Sequence, residues 1–265
     1  MIRFKSFSSG SCGNCYFLGI GEGNRIEAGI LIDAGVSLRR VRACLQQDGL
    51  STDDFSDILI THDHFDHIRS LGSYCKHLRR PVWTTADLHR TLSHHVMTCE
   101  YVPSCRHILD EGRWNSLCGG RIKVRCFDVP HDATRTVGYA ILLDDYKYVH
   151  ITDCGRMTPE ALDFCSKADT VVLESNYDTA MLENGSYPPE LKARIRGGNG
   201  HLSNAECAAA IKAFAHEGLR NVFLCHLSEN NNTPEKAYGA SRPCLSDGVR
   251  LQTLPRRTPS AMFNL

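Results

Sequence analysis

No stretch of the sequence approaches the roughly eighteen uninterrupted apolar residues that a membrane-spanning helix needs. The opening Met1-Ile2-Arg3-Phe4-Lys5-Ser6 also lacks the long apolar core of a signal peptide. The expectation is a cytoplasmic protein with no membrane partner. An excess of one charge is missing too. Thirty Lys and Arg balance thirty Asp and Glu, so no global field draws the chain to nucleic acid or to a membrane. Any polyanion binding has to come from a local patch. No segment repeats with a period of about 20 to 50 residues, and none is of low complexity, which excludes solenoids and repeat arrays.

A complete set of intramolecular disulfides is excluded as well, because the thirteen cysteines are odd in number. Most are expected to be reduced thiols, and Cys44, Cys207 and Cys225 fall on apolar faces or in strands, where a free Cys acts as a small hydrophobe. Cys12-Gly13-Asn14-Cys15 has redox or zinc spacing, but there is no second C-x-x-C and no helical pattern behind it. It reads as loop and strand filler.

What is present is enough for a sizeable core: 265 residues, 42% of them hydrophobic, read as a single domain over 1–265. Its densest chemistry is Thr61-His62-Asp63-His64-Phe65-Asp66-His67, directly after the apolar run Ile58-Leu59-Ile60. A loop that leaves a buried strand can turn several side chains toward one point. Imidazole nitrogens and carboxylate oxygens suit divalent transition metals, and the H-x-H-x-D-H order supplies two pairs of ligands, one for each of two adjacent ions.

Around that loop the chain alternates short strands with helices. Residues 2–7 and 15–20 flank a small-residue turn, Ser8 to Asn14, and Gly29–Ile32 is a buried strand ending in Asp33-Ala34-Gly35. Ser37 caps a helix with Leu38, Val41 and Leu45 on one face and Arg39, Arg40 and Arg42, read as solvated surface, on the other. A helix is expected from Ile68 to about Leu78, a strand at Pro81–Thr84 and a helix from about Ala86. His89, His94 and His95 read as surface histidines, and the region 84–118 carries no functional signal. Strands follow near 121–130, 138–143 and 146–152, the last two as a hairpin across Asp144-Asp145, and then at Thr170–Leu173 and Asn221–Cys225. Residues 183–203 read as a polar, Gly- and Pro-rich connection, after which Asn204 caps a helix that Gly218 stops.

His62, His131, Asp153, Glu174 and His226 each come just after an apolar strand. In two sheets with helices outside, such strand ends can converge on one edge. With H-D-H-F-D-H, this order of motifs resembles the metallo-β-lactamase superfamily. Ser9-Gly10-Ser11 with Gly13-Asn14, Leu31-Ile32-Asp33-Ala34-Gly35, Pro130-His131-Asp132-Ala133, Gly200-His201-Leu202-Ser203-Asn204 and His226-Leu227-Ser228 resemble its YycJ/WalJ-type bacterial branch. The resemblance spans residues 4 to about 232. Two departures are visible: Asn176-Tyr177-Asp178 where the family often has Asn-His-Asp, and Cys12 where serine is usual.

The resemblance implies an α+β fold, the αββα four-layer sandwich of two mixed sheets flanked by helices. It implies that His62, His64 and His131 hold one ion, that Asp66, His67 and His226 hold the other, and that Asp153 bridges them. It also implies a 5′–3′ exonuclease on double-stranded DNA, linked to DNA repair and hence to a repair-protein partner, with manganese as its metal. The ligands alone suit zinc, manganese, iron or nickel. Two such ions can share a hydroxide and clamp the attacking and leaving oxygens of a displacement at phosphorus.

The expected catalytic residues are Asp66, His201 and Glu174, with His201 as general acid and Glu174 orienting it. The alternative readings are, for His201, a helix-start residue bonded to the backbone and, for Glu174, a buried carboxylate paired with a surface lysine or arginine. Asp33 and Asp132 are candidates for fixing the tautomer of a ligating histidine, or, for Asp33, for capping a turn. Lys192, Arg194, Arg196, Ser228 and Asn231 are the expected substrate contacts, although a solvated charge run and ordinary loop polarity read the same way. Two other readings stay open: a small-molecule hydrolase of the same fold acting on an ester, thioester, lactone or cyclic nucleotide, and a non-enzymatic binding protein whose ions only hold the fold.

Overall fold

The structure, a computed structural model, describes every residue except Asn24. Its strands form two sheets of seven. The first contains β1 (Ile2–Ser8), β2 (Cys15–Glu22), β3 (Arg25–Ile32), β4 (Asp57–Leu59), β5 (Val82–Thr84) and β6 (Arg106–Ile108) in sequence order. The second contains β7 (Asn115–Leu117), β8 (Ile122–Asp128), β9 (Val137–Leu143), β10 (Tyr146–Ile151), β11 (Thr170–Glu174), β12 (Asn221–Cys225) and β13 (Arg250–Thr253). A last strand, β14 (Phe263–Asn264), returns to pair antiparallel with β1. Each sheet is mixed: β1 to β3 and β7 to β10 are antiparallel meanders, while β3 to β6 and β10 to β13 run parallel. The parallel strands β11 and β12 are buried at every position, as strands covered on both faces are.

Helices cover the outer faces. On the first sheet lie α1 (Leu38–Gln47), α2 (Phe65–Ile68), α3 (Leu71–Leu78) and α4 (Ala86–Leu92). On the second lie α5 (Pro159–Cys165), α8 (Asn204–Phe214) and α9 (Pro234–Ser241), while α6 (Thr179–Asn184) and α7 (Pro189–Arg196) stand between β11 and α8 in the chain, α7 with no buried residue. Three apolar layers result. The middle one joins Phe4, Tyr16 and Ile30 of the first sheet to Tyr139, Tyr148 and Phe223 of the second, with the rings of Phe4 and Phe223 4.9 Å apart. Emptying such a site, as in Phe4→Ala, costs about 3–5 kcal/mol. The αββα sandwich expected from the motif order is the architecture observed.

Several local expectations are corrected. The helix expected from Ile68 starts at Phe65 and breaks between α2 and α3. The presumed connection 183–203 contains the helix α7: Pro189 stands at its first position, where a missing N–H costs nothing. The cap of α8 is Ser203 rather than Asn204; its hydroxyl accepts from Glu206 N while the Glu206 carboxylate accepts from Ser203 N. That helix ends at Ala215, before Gly218. His89 is buried rather than superficial, its Nε2 placed 3.0 Å from the Val82 carbonyl and 2.8 Å from that of His107.

Candidate metal centre

The ends of β4, β8, β10, β11 and β12 meet at one edge of the two sheets. Three chain reversals there use residues with left-handed backbone: Asp33 (φ 61°) after β3, Asp153 (φ 49°) after β10 and His226 (φ 51°) after β12. Each such non-glycine residue costs on the order of 1–3 kcal/mol, and the surrounding contacts hold all three. Gly35 is sterically required beside them. A β-carbon at Gly35 would stand 1.6 Å from the Asp66 carbonyl oxygen, which accepts from Asn14 N at 2.8 Å.

Donor atoms of His62, His64 and His131 all lie within 4.8 Å of one another, and so do those of Asp66, His67 and His226. Asp153 falls in a third group of the same size with His62 and His67, between the first two. Its Oδ2 is 3.2 Å from His67 Nε2 and its Oδ1 3.3 Å from His226 Nδ1. This is the composition of a dinuclear site of this fold. A fourth group joins Asp153 to Glu174, His201 and His226.

The outward ring nitrogen of each histidine is anchored, leaving the other to face its cluster. His67 Nδ1 lies 2.7 Å from Asp33 Oδ2, and His226 Nδ1 3.1 Å from Glu174 Oε1. His131 Nδ1 donates to the Gly200 carbonyl at 2.8 Å, and His62 Nδ1 lies 3.0 Å from Thr61 Oγ1. His64 is turned the other way: Nε2 is 3.3 Å from the Asp132 carbonyl and Nδ1 3.2 Å from His131 Nε2. The remaining nitrogen of His62, Nε2, is fully buried and has no hydrogen-bond partner. An orphaned buried acceptor at the centre of three imidazoles fits a bound cation, since leaving it unpaired costs about 1–3 kcal/mol.

Electrostatics agree with that fit. Burial holds the imidazole of His62 well below its usual pKa, so it stays neutral, as a ligand requires. At His226 burial acts in the same direction but is outweighed by Asp153, Asp66 and Glu174, which raise the ring to about 10. His67 goes up likewise, against its burial, under Asp33, Asp153 and Asp66. Burial would raise Asp153, yet His226 and His67 hold it well below the carboxylate range. The carboxylates thus draw positive charge to the spot where two divalent ions would supply it.

Beside the clusters lies an open cleft of about 210 Å³. Asp66, Asp153, His64 and His226 line it, together with Ser11 and Ser228 and with Tyr187, Leu191, Arg194 and Ile195 in and just before α7. His201 also lines it, with Nδ1 2.7 Å from Glu174 Oε1. Burial would lower this imidazole, but Glu174 raises it. Glu174 is fully buried, and its other oxygen accepts from Cys154 N and Leu202 N, so its partners are two histidines and two amides rather than a surface cation.

Of the expected substrate contacts, Arg194 and Ser228 reach the cleft. Arg194 is paired with Asp132. Lys192 donates to the Glu183 carbonyl and Arg196 pairs with the Glu183 carboxylate, so neither lines the cleft. Asn231 is buried behind Ser228, whose hydroxyl accepts from its backbone N–H. None of residues 84–118 lines the cleft. Three residues with no role expected from sequence stand at the site. Asn14 Nδ2 lies 2.9 Å from Asp66 Oδ2 and 2.8 Å from His67 Nε2. Thr61 Oγ1 donates to the Asp33 carboxylate at 2.9 Å. Asn176 donates to the His226 carbonyl at 2.8 Å and lines the cleft.

Residues 29–227 match the family profile described as a beta-lactamase superfamily domain. The exodeoxyribonuclease YycJ of Bacillus anthracis is 32% identical over 237 residues, covering 89% of this chain and 86% of its own. The exodeoxyribonuclease WalJ of Streptococcus pneumoniae is 29% identical with the same coverage. Among solved structures, the metallo-beta-lactamase fold protein YhfI of Bacillus subtilis superposes with a TM-score of 0.70 over 98% of both chains, at 13% identity. Zn(2+)-bound PqqB of Methylobacterium extorquens superposes with a TM-score of 0.71 at 15% identity, over 99% of this chain and 100% of its own. These two speak for the fold alone. With the sandwich, the five strand-end motifs, the profile match and the YycJ relative all in agreement, the chain belongs to the metallo-β-lactamase superfamily.

Proposed function

We propose that this chain is a metal-dependent phosphodiesterase acting on DNA, as a 5′–3′ exonuclease on double-stranded ends. The observation that carries the reading is the open cleft, lined together by His64 of one donor set, Asp66 and His226 of the other, the Asp153 carboxylate between them and His201, which Glu174 backs. A closed structural metal site has no such opening. The named activity of the YycJ and WalJ relatives supports the substrate class.

His62, His64 and His131 would hold one divalent ion and Asp66, His67 and His226 the other, with Asp153 shared. Bound there, the ions supply an activated water and neutralise charge at phosphorus. The protein does the rest. Asp33, Thr61, Gly200 and Glu174 fix the ring orientations. Asp66 borders both the second donor set and the cleft, so its loss removes a ligand and reshapes the cleft. His201, held through Nδ1 by Glu174, turns Nε2 to the cleft and gives a proton to the leaving oxygen, an effect worth about 10²–10⁴-fold. Ser228 and Arg194 sit where a substrate phosphate would be held. Manganese fits the nuclease reading and zinc the ligand types; a cytoplasmic repair setting with a DNA-repair partner follows from the same reading.

A hydrolase of small phosphodiesters or esters is the second reading, favoured by the size of the cleft and its wall of Tyr187, Leu191 and Ile195. The deciding experiment is degradation of end-labelled linear duplex DNA, with Mn²⁺ or Zn²⁺ restored after chelation and Asp66→Ala as control. Metal-dependent loss of label from the 5′ end, absent in the variant, supports the nuclease. A protein that binds two ions by elemental analysis and turns over a small diester but never DNA belongs to the second reading.

A further inference from the structure

The chain has no net charge to attract DNA, so a duplex has to be met by a local concentration of unneutralised cations. The segment of α7 beside the cleft does not provide it: Arg194 pairs with Asp132, and Arg196, outside the cleft, with Glu183. The surface beside Ser11 and Ser228 differs. There the turn Ser8 to Asn14 is ringed by arginines that spend their hydrogen bonds on main-chain carbonyls instead of carboxylates. Arg69 donates to the carbonyls of Gly35 and Cys12. Arg256 donates to those of Ser228 (2.5 Å) and Asn232 (3.4 Å). Arg40, on α1, reaches across to the carbonyl of Arg257.

A carbonyl fixes the position of a guanidinium without cancelling its charge. In this arc only Arg257 has a carboxylate partner, Glu229, and that pair is solvent-exposed. The arc is continuous with the cleft: Arg256 holds the carbonyl of Ser228, a cleft residue, and Ser8 Oγ donates to the Arg256 carbonyl at 2.6 Å. Outward from Arg40 on the same helix, Arg39 and Arg42 are exposed, and among the described residues no acidic group pairs with either.

We propose that this arc, Arg69, Arg256, Arg257 and Arg40 continuing to Arg39 and Arg42, is the track on which the phosphate backbone of the duplex lies as its end enters the cleft past Ser11 and Ser228. The proposal rests on the nuclease reading and adds to it the side from which DNA is held. Positively charged guanidiniums fixed in a row suit a repeating phosphate ladder and read no base, so the contact is independent of sequence. Each phosphate neutralised releases condensed counterions, which makes binding fall with salt by about 0.9 decade per decade of salt and per contact.

The test uses the metal-loaded full chain and an end-labelled linear duplex, with kcat and KM measured from low to moderate KCl. Arg40→Gln/Arg257→Gln is expected to raise KM by about tenfold at moderate salt and to flatten the salt dependence by about one to two contacts, leaving kcat nearly as it was. Glu229→Gln, which removes the acid paired with Arg257, is expected to lower KM. Lys212→Gln, on the exposed side of α8, controls for net charge alone. Melting temperatures establish that each variant folds. A double variant with wild-type KM and salt slope overturns the track while the nuclease reading stands. Wild-type protein that hydrolyses a small diester but no DNA at any salt sinks the nuclease reading, and the track with it.

Discussion

Asp33 Oδ2 lies 2.7 Å from Nδ1 of His67, and both side chains are wholly buried. The carboxylate also accepts from Thr61 N and Thr61 Oγ1, so one acid fixes the ring of an expected ligand and the start of the loop that carries four of them. Asp33→Asn keeps the shape and tolerates the left-handed backbone, but it replaces one accepting oxygen with a donor. Metal affinity is expected to fall about 10- to 100-fold, measured by competition with a chromogenic chelator.

Glu174 joins the cleft to the interior. Replacing it with Gln takes the nearest carboxylate from Nδ1 of His201 and of His226 and leaves one accepting oxygen where two now serve these rings and two amides. Hydrolysis of a diester with a poor leaving group is expected to drop by about two orders of magnitude, and that of a nitrophenyl diester by much less, because the second substrate needs little protonation of its leaving oxygen. Equal losses on both substrates would remove His201 from the role of general acid.

His150 is fully buried on β10, and burial lowers its pKa to about 3, with His67 adding to the effect. An unfolded imidazole takes up its proton as pH falls through about 6.5. Between those values the unfolded state binds the extra proton, so stability declines as the solution is acidified, by up to about 1.4 kcal/mol per pH unit from this group. Urea midpoints of the protein and of His150→Asn, compared from pH 7.5 downward, should diverge in slope below about pH 6.5; parallel curves would contradict the assignment.

Gly35→Ala puts a methyl group against the carbonyl of Asp66. The expected result is a loss of about 3 kcal/mol or more in unfolding free energy, together with fewer than two bound ions per chain by elemental analysis, because the displaced residue is itself a donor. A variant with unchanged melting temperature and full metal content would show that the loop can shift without consequence.

The H-x-H-x-D-H loop and the strand-end acids and histidines were legible from sequence because each follows an apolar run that can only be a buried strand, and because such dense donor spacing has few other uses. Asn14 was hidden for the opposite reason: it reaches Asp66 across 52 positions, and a turn selects Asn whether or not a ligand lies nearby. Helix α7 was hidden by the prolines and glycines around it, which read as loop although Pro suits a first helical turn. His89 looked superficial because no local pattern reveals that two carbonyls from neighbouring strands enclose its ring. Of the arginine arc, Arg39, Arg40 and Arg42 were read as solvated surface, and only the fold brings Arg40 beside Arg257, 217 residues away.

The division of donors between the sheets has a consequence for how the molecule is made. His62, His64, Asp66 and His67 leave the first sheet, whereas His131, Asp153 and His226 leave the second. With the ligand sets proposed above, a chain still emerging from the ribosome with only its first half built would offer each ion two donors and no third, so firm loading of the first ion would wait for His131 and that of the second for His226 on β12. On that assignment metal capture would be a late event of biosynthesis, and a tightly held pair of ions would certify that both halves have come together.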